Sequence, residues 1–251
     1  MNIDYPTPEH LPRLRALFQQ AFGDSDAFLD VFYSTAFAYD RCLCVFVEDS
    51  PAAALYWLDC RWEEKPIAYI YAVATAQAFR GRGLCRALME YAHSQLAALG
   101  YAGAILVPGT EDLFQMYGNL GYRVCSKIRE ISCRAGSEAA ALRAIDREEF
   151  CRLRRQYLPA GGVIQEDANL AFLAAMADFY AGEDFVLTVF RGANPLFAPE
   201  LLGNVNAAPG ILAALHKEEG IFRIPGDGRP FAMYHPFTGI SAPTYFAFAF
   251  D

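Results

Sequence analysis

The chain opens with a polar stretch that gives way to a period of three to four. In "TPEHLPRLRALFQQAF", Leu11, Leu14, Leu17, Phe18 and Ala21 fall on one helical face. Thr7 is the candidate cap and Pro8 suits the first helical position. A second helical pattern runs from Asp26 to about Phe37. The period then drops to two. "RCLCVFVED" and "AALYWLDCRW" read as strands about a turn at Ser50-Pro51, and Lys65-Pro66 begins a third strand, "IAYIYAVAT". A helix follows with Leu84, Leu88, Tyr91, Ala92 and Leu96 inward, ended by Gly100. "GAILVP" is a short buried strand. "TEDLFQMYGNLGY" is a short helix with Thr110 as cap and Gly121 as stop, and "YRVCSKIREISC" alternates as a strand.

The order helix, helix, three strands, helix, strand, helix, strand predicts hairpins followed by a parallel crossover. The fold class is therefore α/β, with a mixed central sheet flanked by helices over residues 1–134. Residues 135–251 predict a second, smaller α/β domain. "SEAAALRAIDREEFCRLRRQYL" reads as one helix with a Glu148–Arg152 pair, and Arg143, Arg147, Arg152, Arg154 and Arg155 as its solvated face. A helix over 169–180, a strand "FVLTVF" and a short helix in "NAAPGILAAL" come next. "GIFRIPGDGRPFAMYHPF" predicts a hairpin over Gly-Asp-Gly, and "TYFAFAF" a closing strand.

Composition changes this picture little. With 251 residues, 54% hydrophobic and 14% aromatic, the chain can bury a large core. A net charge of -8 gives no global attraction to nucleic acid or to an anionic membrane, so any basic site is local. Seven cysteines, odd in number and without a CxxC pair, read as core residues of a reducing compartment. The four histidines are scattered, so no metal site is expected. No targeting pattern and no apolar run of eighteen residues is present, and the expectation is a soluble cytoplasmic protein.

One stretch carries chemistry. In "QAFRGRGLCRALMEYA", two arginines and two glycines stand directly before a helix. The first backbone N–H groups of a helix lack intrahelical acceptors and that end is electropositive. Glycine lets a phosphate approach, and arginine adds forked donors. An anion site is expected here, yet both GxxxxGK[ST] and GxGxxG are missing.

"YAVATAQAFRGRGLCRALM" resembles the coenzyme-A-binding motif of the GNAT superfamily of N-acetyltransferases, [RQ]-x-x-G-x-[GA]. Arg80, Gly83 and Cys85 stand at its defined positions, Cys85 in place of the usual Gly or Ala. The helix "TEDLFQMYG" is similar to the family's Y-x-x-x-G-[FY] element, through Tyr117, Gly121 and Tyr122. The element order of residues 1–134 agrees as well. The chain is closest in look to the Eis-like branch, in which a larger residue stands at the third motif position and a second, degenerate GNAT-like unit follows. A sterol-carrier-like module is the other possibility for residues 135–251.

The resemblance implies acetyl-CoA as co-substrate, no metal, and direct transfer of an acetyl group to a small-molecule or peptide amine. It places Val73, Ala74 and Thr75 beside the pantetheine arm, and Gly81, Arg82, Gly83, Leu84, Cys85 and Arg86, with Arg80, around the diphosphate. Val73 is the donor to the thioester carbonyl, and Tyr117 the acid that protonates the departing sulfur. For the base, Glu48, Asp59, Glu63, Glu64, Glu111 and the chain-terminal Asp251 stay open. His93 is expected to face solvent. Phe231, Tyr234, Phe237 and Tyr245 line an acceptor groove or fill a core. A non-catalytic acyl-CoA sensor is the alternative function.

Overall fold

The computed structural model describes residues 2–239 and 241–249. A short strand β1 (Asn2–Asp4), which the pattern does not announce, pairs with the third residues onward of a later strand. Thr7 is extended, and its N–H donates to Nδ1 of His10 at 3.0 Å. One 3-10 turn, Pro8–His10, then leads into α1 (Leu11–Phe22), which buries Leu14, Leu17 and Phe18. Gly23, at φ 76, ends it by donating back to the Gln19 carbonyl. In α2 (Asp26–Thr35) the Ser25 hydroxyl accepts from the Phe28 N–H at 3.2 Å.

Three antiparallel strands follow: β2 (Cys42–Val47), β3 (Ser50–Trp62) and β4 (Lys65–Thr75). Their turns are Glu48-Asp49 and Glu63-Glu64, all four residues at positive φ. Two left-handed residues match the twist of the flanking strands. The turn therefore lies two residues before Ser50-Pro51, and Pro51 sits in β3 opposite Phe46, where the register shifts. Next come α3 (Leu84–Ala98), β5 (Gly103–Leu106), α4 (Glu111–Gly118) and β6 (Arg123–Arg134).

The expected long helix after β6 is shorter. Asp146 caps α5 (Arg147–Tyr157), its carboxylate accepting from the Glu149 N–H at 2.8 Å. The residues before it form β7 (Arg143–Ile145). Glu149, not Glu148, gathers the arginines, pairing with Arg143 at 2.7 Å and Arg152 at 3.2 Å. Likewise α6 (Ala168–Met176) stops where alternation begins, and β8 (Ala177–Ala181) takes over. Then come β9 (Phe185–Phe190), β10 (Leu196–Ala198), β11 (Glu200–Gly203), α7 (Ala208–Ala214), β12 (Glu219–Pro225) and β13 (Arg229–Pro236). The last two do not form the expected hairpin. β12 pairs antiparallel with β6, and Met233–Pro236 of β13 pair antiparallel with β5. The described residues of "TYFAFAF", 244–249, form one bridge, Gly162 to Tyr245, in place of a strand. Side chains satisfy its backbone: Ser126 Oγ accepts from Phe246 N–H, and Gln165 exchanges hydrogen bonds with the Phe248 N–H and carbonyl.

Contacts divide the chain into two units. The first holds Met1–Arg123, Asp167–Phe172 and Met233–Ala242. On one side of its strands, Leu43, Leu55, Trp57 and Ile70 pack with Leu88, Met89 and Leu96 of α3. Elsewhere Phe18, Phe32, Tyr56, Tyr71 and Phe172 form an aromatic cluster with centroids 5.2–6.2 Å apart. The second unit has its own core of Phe185, Leu187, Leu201, Ile211, Leu212, Phe222 and Ile224. Among the described residues, no helix is long and apolar enough to cross a membrane.

Candidate functional site

β4 and β5 are parallel neighbours over two residues only, Ala68 with Ala104 and Tyr69 with Ile105. Beyond Tyr69, β4 continues to Thr75 while β5 ends at Leu106, so the two strands part. A bulge lies in that stretch. Ala54 opposes Ala74 and Tyr56 opposes Tyr71, which leaves Ala72 and Val73 against Leu55 alone. Ala72 takes φ 49 to accommodate it. A non-glycine residue in the left-handed region costs about 1–2 kcal/mol, and such outliers gather where a ligand must meet the backbone.

After Thr75, the loop Arg80–Gly83 turns the chain into α3. Gly81 and Gly83 sit at φ 72 and 76, and a Cβ at either would meet nothing within 4 Å. Glycine is thus required there by backbone angle and not by crowding. The first bond along this helix is Ala87 N–H to the Gly83 carbonyl at 3.0 Å. The amides of Leu84, Cys85 and Arg86 therefore lack intrahelical acceptors, at the electropositive end of a fifteen-residue helix.

These features share one cleft of about 390 Å3. Val73, Ala74 and Thr75 line it from β4, and Arg80, Gly81, Gly83, Leu84 and Cys85 from the loop and helix start. Two expected members stand apart. The Arg82 guanidinium lies 5.2 Å above the Phe79 ring, and Arg86 faces Glu90 at 3.6 Å across one helical turn. Arg80 Nε donates to the Thr75 carbonyl at 3.1 Å, tying the loop to the strand end. Tyr117 is not among the residues lining the cleft; it is 7% exposed and follows Met116, which does line it. Burial, with the nearby Cys85, pushes the Tyr117 phenol well up, so it holds its proton at neutral pH. Burial also raises Cys85, which stays a thiol and is a poor nucleophile in that form.

The wall facing the motif was not legible in the sequence. Ala21 and Phe22 end α1, and Leu113 and Met116 stand three apart on α4. Nothing in their local pattern separates them from ordinary core positions. Phe22 is 47% exposed, one of three large apolar side chains so placed among the described residues.

The open base candidates fall elsewhere. Glu48, Glu63 and Glu64 occupy hairpin turns, and Glu111 is exposed at the start of α4. Asp59 is held by Arg41 at 3.1 Å and accepts from Tyr101; it stands opposite Ala68, seven residues and about 23 Å along β4 from Thr75. Asp251 lies outside the described residues. His93 does not face solvent freely. It hydrogen-bonds Tyr122 at 2.9 Å and stacks on His235 at 4.4 Å, and burial followed by His235 lowers it to about 4. Arg154 likewise leaves the expected solvated face. It is 4% exposed and paired twice with Glu200, at 2.7 and 3.0 Å. Phe231, Tyr234 and Tyr245 are buried at 1–2% exposure, and Phe237 is half-buried.

Residues 2–125 match the model of a family described as an acetyltransferase (GNAT) domain. No curated protein matches the sequence. Among solved structures, a GCN5-related N-acetyltransferase from Kribbella flavida aligns with a TM-score of 0.71 at 18% identity, over 94% of this chain and 71% of that one. One from Anabaena variabilis aligns with 0.73 at 15% identity, over 93% and 72%. An Eis protein from Mycobacterium abscessus aligns with 0.66 at 13% identity, over 94% and 74%. At these identities the likeness is one of fold.

Proposed function

Residues 2–125 belong to the GNAT family of acetyltransferase domains, and from that premise we propose that the protein transfers an acetyl group from acetyl-CoA directly to a primary amine. The observation that carries this reading is the meeting, in one cleft, of a bulged strand end and a glycine-opened helix N-terminus. The residues present fit the coenzyme. Uncommitted amides and a guanidinium suit a diphosphate, and the parted stretch of β4 suits an amide-bearing arm.

The thioester supplies an activated acyl carbon and a thiolate leaving group. Gly81 to Arg86 hold the diphosphate through backbone N–H groups, with Arg80 adding charge. Val73, Ala74 and Thr75 position the arm, and the Val73 N–H polarises the thioester carbonyl. Tyr117, protonated because it is buried, delivers a proton to sulfur as the C–S bond breaks and the C–N bond forms. Holding amine and acyl carbon together supplies most of the acceleration. A degenerate second GNAT-like unit in the later part of the chain belongs to the same proposal.

The test has two stages. Coenzyme A, and not ATP, should raise the melting temperature. With acetyl-CoA and a panel of amines, free thiol should then be released. Coenzyme binding without thiol release from any amine would favour an acyl-CoA sensor.

A further inference from the structure

Acetyl transfer needs two elements held in register. α3 offers its N-terminus to the diphosphate, and α4 carries Tyr117 in its last turn. α4 has only eight residues, and a helix that short takes its position from what it packs on. A cluster of rings joins the two. His93 lies on α3, ten residues and about 15 Å along the axis from Gly83. Its Nε2 stands 2.9 Å from the hydroxyl of Tyr122, in the turn that follows α4. Its imidazole stacks on that of His235 from β13, at 4.4 Å and 15°. His235 in turn packs on the same turn. A Cβ on Gly121 would stand 2.8 Å from His235 Nδ1, so glycine is required there by close approach as well as by its φ of 89.

Tyr122 is tied to Tyr117 twice. Its N–H donates to the Tyr117 carbonyl at 3.1 Å, and its ring meets the Tyr117 ring edge-on with centroids 5.8 Å apart. Burial keeps both phenols protonated and His93 neutral. The hydrogen bond therefore joins a phenol to a neutral imidazole, with Tyr122 only 2% exposed. Away from water such a bond is strong in direction and costly to leave unmade. Packing alone asks for the Tyr122 ring; the hydroxyl adds a fixed tie to the coenzyme helix.

Resting on Tyr117 as the acid of acetyl transfer, we infer that His93, braced by His235, is a positioning residue: its hydrogen bond to Tyr122 fixes the end of α4 against α3 and so sets the place from which Tyr117 reaches the departing sulfur. His93 itself moves no proton. Placement of this kind matters because the acid must come within hydrogen-bond reach of its target, and an error of about 1 Å costs as much as a hundredfold in rate.

A double-mutant cycle tests this, at neutral pH with acetyl-CoA and whichever amine of the panel releases thiol fastest. Tyr122→Phe and His93→Phe keep a ring at each place and remove the bond. Each should lower kcat about tenfold, the change that the net free energy of one ordinary hydrogen bond produces, with coenzyme A affinity by calorimetry unchanged. His93→Gln, whose amide reaches the Nε2 position, should recover most of what His93→Phe loses. In a Tyr117→Phe background neither ring-retaining variant should lower kcat further, because no acid is left to place. Should Tyr122→Phe fail to fold, His93→Phe and His93→Gln carry the same cycle. Equal losses with and without the Tyr117 hydroxyl, or full turnover in the ring-retaining variants, overturn the positioning role while the acid stands. Wild-type turnover in Tyr117→Phe alone would instead remove the acid, and absence of thiol release from every amine would remove acetyl transfer; the positioning role falls with either.

Discussion

Ala72 shows how much one residue can decide. Its left-handed backbone creates the bulge before Val73, and a β-branched side chain tolerates that region poorly. Ala72→Val should cost about 1–2 kcal/mol in urea unfolding and weaken coenzyme A binding by calorimetry. Gly83→Ala has room for its methyl group, so its cost is the backbone alone, again about 1–2 kcal/mol. It should weaken coenzyme binding while leaving the far-UV spectrum unchanged. Tyr117→Phe removes only a hydroxyl; turnover should fall by about a hundredfold, the usual scale for a lost general acid, with coenzyme affinity nearly intact. His93 makes a stability prediction. Its folded pKa, about 4, lies below the unfolded 6.5. The stability due to its neutral form is complete above pH 6.5, falls as pH drops towards 4, and changes no further below. At about 1.4 kcal/mol per unit over the 2.5 units between these values, the loss is about 3.5 kcal/mol. Denaturant midpoints across that window should fall less steeply in His93→Gln.

At the scale of elements, polar groups set the ends that hydrophobic period leaves open. The Asp146 cap shortens α5 to eleven residues and releases β7. From α5, Arg154 reaches Glu200 at the start of β11, and Glu200 also accepts from the Tyr245 hydroxyl at 3.0 Å. The helix face was legible as arginine-rich, but burial of one of those arginines depends on a carboxylate 46 positions away. Removing one partner leaves a buried charge, so Arg154→Met should destabilise by about 3–5 kcal/mol. Adding Glu200→Leu and Tyr245→Phe should recover most of that loss. A triple variant as unstable as the single one would show that packing, not uncompensated charge, sets the cost.

At the scale of the whole molecule, late sequence completes early structure. Met233–Pro236 pair with β5, and Tyr234 packs on Trp62 at 6.0 Å. Asn169 donates to the Asp59 carbonyl at 2.9 Å. A chain ending at Arg134 would lack all of these. It should melt without a cooperative transition and bind coenzyme A poorly; a sharp melt with retained binding would contradict this.

The helices α1 to α4, the three hairpin-linked strands and the glycine turn before α3 were readable in advance, because each rests on local causes. Periodicity assigns a face, glycine permits a positive φ, and a helix start leaves its amides unpaired whatever surrounds it. The strand partners of β12 and β13, the bulge at Ala72 and the apolar wall from α1 and α4 had no local signal. Each depends on which distant segments come together, and a strand or helix face carries the same pattern whichever neighbour it meets. The chain's own residues thus announced the glycine turn and the unpaired amides that follow it, while long-range packing alone decided what else lines the cleft.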